Sequence, residues 1–133
     1  MKQVIQPAGW PKPKGYANGI VATGRTLYVG GQVGWDTEFR FGDTFAEQFG
    51  QVLDNIIEIV RTAGGTPEDV VQMTVFITDV PEYHRALPQL GAIWRERFGT
   101  HYPAMAMVAV AGLVEPRAKL EVTSVAVLPE ESK

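Results

Sequence analysis

The sequence predicts an α+β fold in which a mixed β-sheet carries two helices on one of its faces. Three observations lead there: an apolar stripe of helical period over residues 44–63, a second over residues 87–98, and six short extended runs arranged around them. At 133 residues, 45% hydrophobic and 20% charged, the chain suits one compact globular domain, residues 1–133, and is too short for two of ordinary size.

The first fifteen residues hold Pro7, Gly9, Pro11, Pro13 and Gly15, which leaves room only for a short strand at 3–6 and then a lead-in loop or arm. Residues 19–23 and 26–33 are rich in β-branched and aromatic residues, and Thr23-Gly24-Arg25 between them predicts a hairpin turn. The second of these runs contains Gly30-Gly31, and adjacent glycines in a strand predict that something approaches the backbone too closely for a side chain.

Phe45, Phe49, Val52, Ile56 and Val60 then recur every three or four residues, Thr44 and Glu47 fit a capping box, and Gly64-Gly65 supplies a stop. Residues 70–79 alternate, with Val71, Met73, Val75 and Ile77 on one face, and Val80-Pro81 ends that strand. The second helix carries Leu87, Leu90, Ile93, Trp94 and Phe98; Pro88 places its regular start near residue 88, after a loose turn at 82–85. Two more extended runs, 104–111 and 120–128, flank a loop marked by Gly112 and Pro116. Two helices cover only one side of such a sheet, so its other side, also bearing apolar residues, is expected to meet a second copy of the chain.

Composition removes several chemistries. With no cysteine there is no disulfide, thiolate nucleophile or cysteine-bound metal. The two histidines, His84 and His101, lack metal-ligand spacing, and no metal site is expected. The only serines, Ser124 and Ser132, lack a nucleophile elbow. Gly30-Gly31-Gln32-Val33-Gly34 is not a phosphate-binding loop. A net charge of −3 without a basic cluster argues against nucleic acid as a partner. No apolar run reaches the roughly 18 residues of a membrane span, and the N-terminus lacks a secretory h-region, so a cytoplasmic location with no membrane partner is expected.

What remains is acid–base chemistry or binding by shape. Glu121, set between Leu120 and Val122 in an apolar strand, is the most suggestive carboxylate. It reads either as an acid on a solvated strand face or, in a dry pocket, as a general acid or base.

Four segments carry a resemblance. Gly15-Tyr16 through Gly30-Gly31-Gln32-Val33, Leu53-Asp54-Asn55-Ile56, Met73 to Asp79, and Tyr102-Pro103-Ala104 to Leu120-Glu121-Val122 together make the chain similar, along nearly its whole length, to the Rid family (reactive intermediate deaminases, RidA/YjgF-type). The resemblance implies the chorismate-mutase-like fold, a homotrimer with clefts between subunits, and cofactor-independent hydrolysis of reactive enamines and imines, with release of ammonia. It further implies that Tyr16 lines the cleft, that Gly31 offers its backbone to the ligand, and that Glu121 with the backbone carbonyl of Met107 holds the attacking water.

Departures from the family pattern are equally specific. Where the family places an arginine that clamps the substrate carboxylate, Pro103-Ala104 is followed by Met105, which neither donates a hydrogen bond nor carries charge. A charge-assisted bidentate contact contributes about 1.5–3 kcal/mol, so ordinary 2-imino acids should bind at least roughly tenfold worse. The family's serine is here Gly30, and its helix asparagine falls near Leu87 or Pro88. Either Arg117 or His101 replaces the missing cation, or Met105, Met107 and Trp35 form a more apolar pocket for a larger, less charged ligand; the second is preferred. The expected function is thus hydrolytic deamination of a small enamine, imine or related metabolite. The alternative is a non-catalytic, metabolite-binding or regulatory trimer. A third reading, endoribonuclease, is disfavoured by the acidic charge balance and the lack of a catalytic histidine pair.

Overall fold

A computed structural model describes residues 1–130. Six strands and two helices follow in the order β1 (Lys2–Ile5), β2 (Gly19–Ala22), β3 (Arg25–Val33), α1 (Phe45–Thr62), β4 (Val70–Ile77), α2 (Val80–Phe98), β5 (Ala104–Ala109) and β6 (Leu120–Leu128), with a 3₁₀ turn at Pro67–Asp69. The main sheet has the order β3-β6-β4-β5; β6 is antiparallel to both neighbours and β4 and β5 run parallel, joined by α2. The sheet is mixed, and both helices pack on one face of it, as expected.

Helix α1 follows its sequence signals closely. Thr44 accepts from the Glu47 backbone N–H at 3.1 Å, and Glu47 in turn accepts from the N–H of Asp43. At the other end the N–H groups of Gly64 and Gly65 donate to the carbonyls of Arg61 and Val60, the paired bonds of a Schellman stop. Val52, Leu53, Ile56 and Val60 are fully buried against the sheet and form the centre of the core with Val70, Leu120, Val122 and Ala126.

Four expectations are corrected. Residues 19–23 and 26–33 do not form a hairpin: β2 pairs with β1 in a separate two-stranded sheet (Ile5 opposite Gly19, Lys2 opposite Ala22), whereas β3 pairs with β6. The glycine between them turns a corner from one sheet to the other. Gly24 has φ of +146°, and a Cβ there would run into the backbone carbonyl of Leu128. The second helix begins at Val80 rather than near Pro88. Asp79 caps it by accepting from the N–H of Glu82 at 2.9 Å, Pro81 occupies the first turn, and Pro88 sits in the interior. Because Leu87, Pro88 and Gln89 lie on the exposed face, the carbonyl of His84, left without its helical donor, faces water rather than the core. Leu87, assigned to the apolar stripe, is 44% exposed, and Ala86 takes the buried position. In β4, a register shift between Val70 and Gln72 puts Val70 into the core and leaves Val71 half-buried.

The face of the sheet away from the helices is open. Cross-strand neighbours share a face, so the register places Tyr28, Val125, Thr123, Thr74, Phe76 and Val108 there, with Tyr28 79% exposed. No helix of the described chain is long and apolar enough to cross a membrane.

Candidate active site

Glu121 lies near the start of β6, in register with Phe76 of β4 on one side and Val33 of β3 on the other. In β3 the pairing with β6 slips between Val29 and Gln32, and Gly30 and Gly31 occupy the irregularity. The group that approaches the paired glycines is Glu121 itself: a Cβ on Gly31 would collide with Oε2 of its carboxylate. Glycine at 31 therefore lets the carboxylate lie flat against the β3 backbone on the open face of the sheet. Its residue is half-buried in the single chain.

Met105 and Met107 belong to a different surface. In the parallel ladder they stand opposite Met73 and Val75, whose side chains are buried under the helices. Both methionines consequently face the helix side and pack against the core, while Glu121 occupies the other side, two strands away in the order β6-β4-β5. Tyr16 sits at the β5 edge itself, beside residues of both faces of the sheet. Ala17 donates to the carbonyl of Pro103 at 2.9 Å and bridges Ala104, so the lead-in arm runs along the first residue of edge strand β5. Tyr16, 42% exposed, then lines a cleft of about 250 Å³ with Gln72, Thr74, Ala104, Met105 and Ala106. One chain thus assembles two separate half-sites: Gly31 with Glu121, and Tyr16 with Met105 and Met107.

Trp35 enters neither half. Its ring packs edge-on against Phe39 at 4.8 Å and Phe41 at 6.0 Å between β3 and α1, and its carbonyl accepts from Asn55 Nδ2 at 2.9 Å. Arg117 belongs to this same cluster. Its guanidinium stands 4.6 Å over the Phe41 ring, donates to the Phe39 carbonyl, and pairs with Glu115 at 2.8 Å. The side-chain hydrogen bond from Arg117, reinforced by its backbone N–H, holds the Glu115 carboxyl below its usual value, and the same bond raises Arg117. Asp36 is likewise lowered, first by the backbone N–H groups of Arg40 and Glu38. His101 is tied into the scaffold through a 2.7 Å contact between Nε2 and the Val70 carbonyl. Both candidate cations are accordingly engaged within the chain. Among the described residues no group of three histidine or acidic side chains is placed to hold a metal; Ser132 lies outside them.

Several supporting residues carried no motif. Buried Gln48 donates to the carbonyls of Gly42 and Arg117 and accepts from the N–H of Lys119, lashing the β5–β6 loop to α1 just before Glu121. Asn55 donates to the carbonyls of Val33 and Trp35 and fixes the end of β3. Tyr83, Leu90, Trp94 and Tyr102 enclose the methionine side. Asn55 and Tyr102 lie in segments singled out from sequence and Leu90 and Trp94 in the second apolar stripe, whereas Gln48 and Tyr83 carry no sequence signal; the part of Asn55 is to hold a strand end.

The family model described as Endoribonuclease L-PSP matches residues 11–128. A RutC family protein of Leuconostoc mesenteroides subsp. cremoris is 34% identical over 127 residues, covering 91% of this chain and 94% of that protein. Among solved structures, a protein of unknown function of the conserved Rid family from Yersinia pestis aligns with a TM-score of 0.80 at 29% identity, covering 96% and 98% of the two chains. RidA from an Antarctic Psychrobacter aligns at 0.68 and 32%, covering 95% and 99%. A family match over most of the chain, relatives above 30% identity and the shared α+β architecture agree: the chain belongs to the Rid (YjgF-type) family.

Proposed function

We propose that this protein is a hydrolytic deaminase of a small enamine, imine or related reactive metabolite, working in clefts between the subunits of a homotrimer without a cofactor. The observation that carries the reading is the division of the site residues over two surfaces of one chain. Glu121 and Gly31 on the sheet face, and Tyr16, Met105 and Met107 at the β5 edge, complete one cleft only if a neighbouring copy brings one half to the other. Glu121, laid against Gly31, acts as the base that takes a proton from water as its oxygen attacks the imine carbon, with the Met107 carbonyl as a second acceptor. Glu121 hands that proton to the imine nitrogen, and as the resulting carbinolamine collapses the hydroxyl proton passes through the same carboxylate to the amine, so that the C–N bond breaks, ammonia leaves and a carbonyl product remains.

Met105 sets the substrate preference. With a thioether in the clamp position, small 2-imino acids lose their carboxylate partner, and larger, more apolar imines are favoured. The same residue supports a second reading, a trimer that binds such a metabolite without turning it over. Ammonia release in a coupled assay separates the two. Glu121-dependent turnover of 2-aminoacrylate or bulkier imines, lost on Glu121→Ala, is expected; rates no faster than buffer across the panel, with ligand-dependent thermal protection retained, would select the binding protein. Endoribonuclease action is the least supported, and RNA left intact by highly purified protein would remove it.

A further inference from the structure

A recess of about 170 Å³ opens between α2 and the β4–β5 edge. Its floor is Met73, Val75, Met105 and Met107, and its roof is Leu87, Leu90 and Trp94. None of its lining side chains is charged; their N–H and O–H groups are the hydroxyls of Tyr83 and Tyr102 and the indole N–H of Trp94, the last already given to the His101 carbonyl at 3.0 Å. Trp94 lies parallel to Tyr102 at 5.7 Å on one side and stacks on Phe98 on the other, so the aromatic wall is rigid.

Gly91 also lines this recess, and beside that glycine, outside the lining itself, stands a cation. A Cβ at Gly91 would stand 3.1 Å from Nη1 of Arg95, one turn further along α2. Helical side chains lean toward the N-terminus, which carries the Arg95 guanidinium back over the glycine. The neighbouring charges of this turn are already paired: Arg97 holds Asp54 of α1 at 2.8 Å and Glu96 at 3.6 Å. The Arg95 guanidinium makes no hydrogen bond or ion pair among the described residues.

We infer that this recess binds a carboxylate with a bulky apolar body, the body seated between Leu90, Trp94 and the two methionines and the carboxylate held at the mouth by Arg95. The assignment deepens the reading above and rests on it only in taking the recess as part of the same cleft, since Met105 lines both. It also gives the missing clamp a new location. A cation displaced from β5 to the lip on α2 is out of reach of a three-carbon imino acid seated on the methionines, but not of a longer one. An apolar cavity with one charged group at its rim selects for amphipathic ligands, because the tail is desolvated while the head stays near water.

The experiment is calorimetric titration of the intact protein with phenylacetate, 3-phenylpropanoate and 4-methylpentanoate, each against its amide. At least one acid should bind about tenfold more tightly than its amide at low salt, an exposed charge-assisted contact being modest. In Arg95→Gln, a surface change that leaves the core untouched, the gap should close while amide affinity stays the same. Equal affinity of acid and amide in the native protein, a gap that survives in Arg95→Gln, or no binding of any probe would overturn the assignment. Binding rather than turnover is read, so a protein inert toward every imine can still satisfy this test, and an active deaminase can still fail it.

Discussion

At Gly31, any side chain would occupy the space that the Glu121 carboxylate fills. The sequence pattern shows that something approaches the paired glycines but not what, because the partner is 90 residues away and register across β3 and β6 is a tertiary property. The alternatives for Glu121 were open for the same reason: alternation assigns faces, not which face is wet. Arg117 illustrates the converse. From sequence it is a free loop cation; in the fold it is bonded to Glu115 and stacked on Phe41. That pairing is testable by pH. Because the Glu115 carboxyl is lowered in the folded chain, the stability it adds is present above the ordinary carboxylate range and is lost as pH falls through the lowered value. An NMR titration should place the Glu115 midpoint below that of an unstructured glutamate, and Arg117→Ala should return it upward. An unchanged midpoint would mean the bond is absent in solution.

Elements with strong local signals were legible, and those defined by long-range pairing were not. Helix α1 declares itself through its stripe, its cap and its glycine stop. Strands β2 and β3 bear every local mark of a hairpin, yet β2 pairs back with β1 and β3 with the remote β6, and nothing in Thr23-Gly24-Arg25 distinguishes a hairpin turn from a corner between sheets. In α2 the interior Pro88 predicts a late start, yet the helix begins at the Asp79 cap, because the carbonyl that Pro88 leaves unbonded falls on the wet face. Gln48 matters at this scale, as a buried amide whose three hydrogen bonds join α1 to the loop before it and to the β5–β6 loop. Gln48→Met, similar in shape but without hydrogen bonds of comparable strength, should destabilise the fold by about 3 kcal/mol in urea denaturation, since buried backbone partners are left unsatisfied. A loss of under about 1 kcal/mol would show that water replaces the amide.

For the molecule as a whole, the open sheet face and the split site make the same demand for a second copy. Tyr28, 79% exposed at the centre of an otherwise apolar stretch of β3, marks where that copy is expected to pack. Light scattering should give three chain masses for the native protein and a smaller species for Tyr28→Asp; a native monomer would leave Glu121 without the other half of its cleft. The central claim is that the family's hydrolytic machinery persists while its carboxylate clamp has been lost at Met105. It is tested most directly by restoring the clamp and measuring kcat/KM for ammonia release from 2-aminoacrylate. Met105→Arg should raise kcat/KM at least about tenfold, the size of a bidentate carboxylate contact, and the gain should vanish when Glu121→Ala is added. No gain in Met105→Arg, or an equal gain without Glu121, would contradict it.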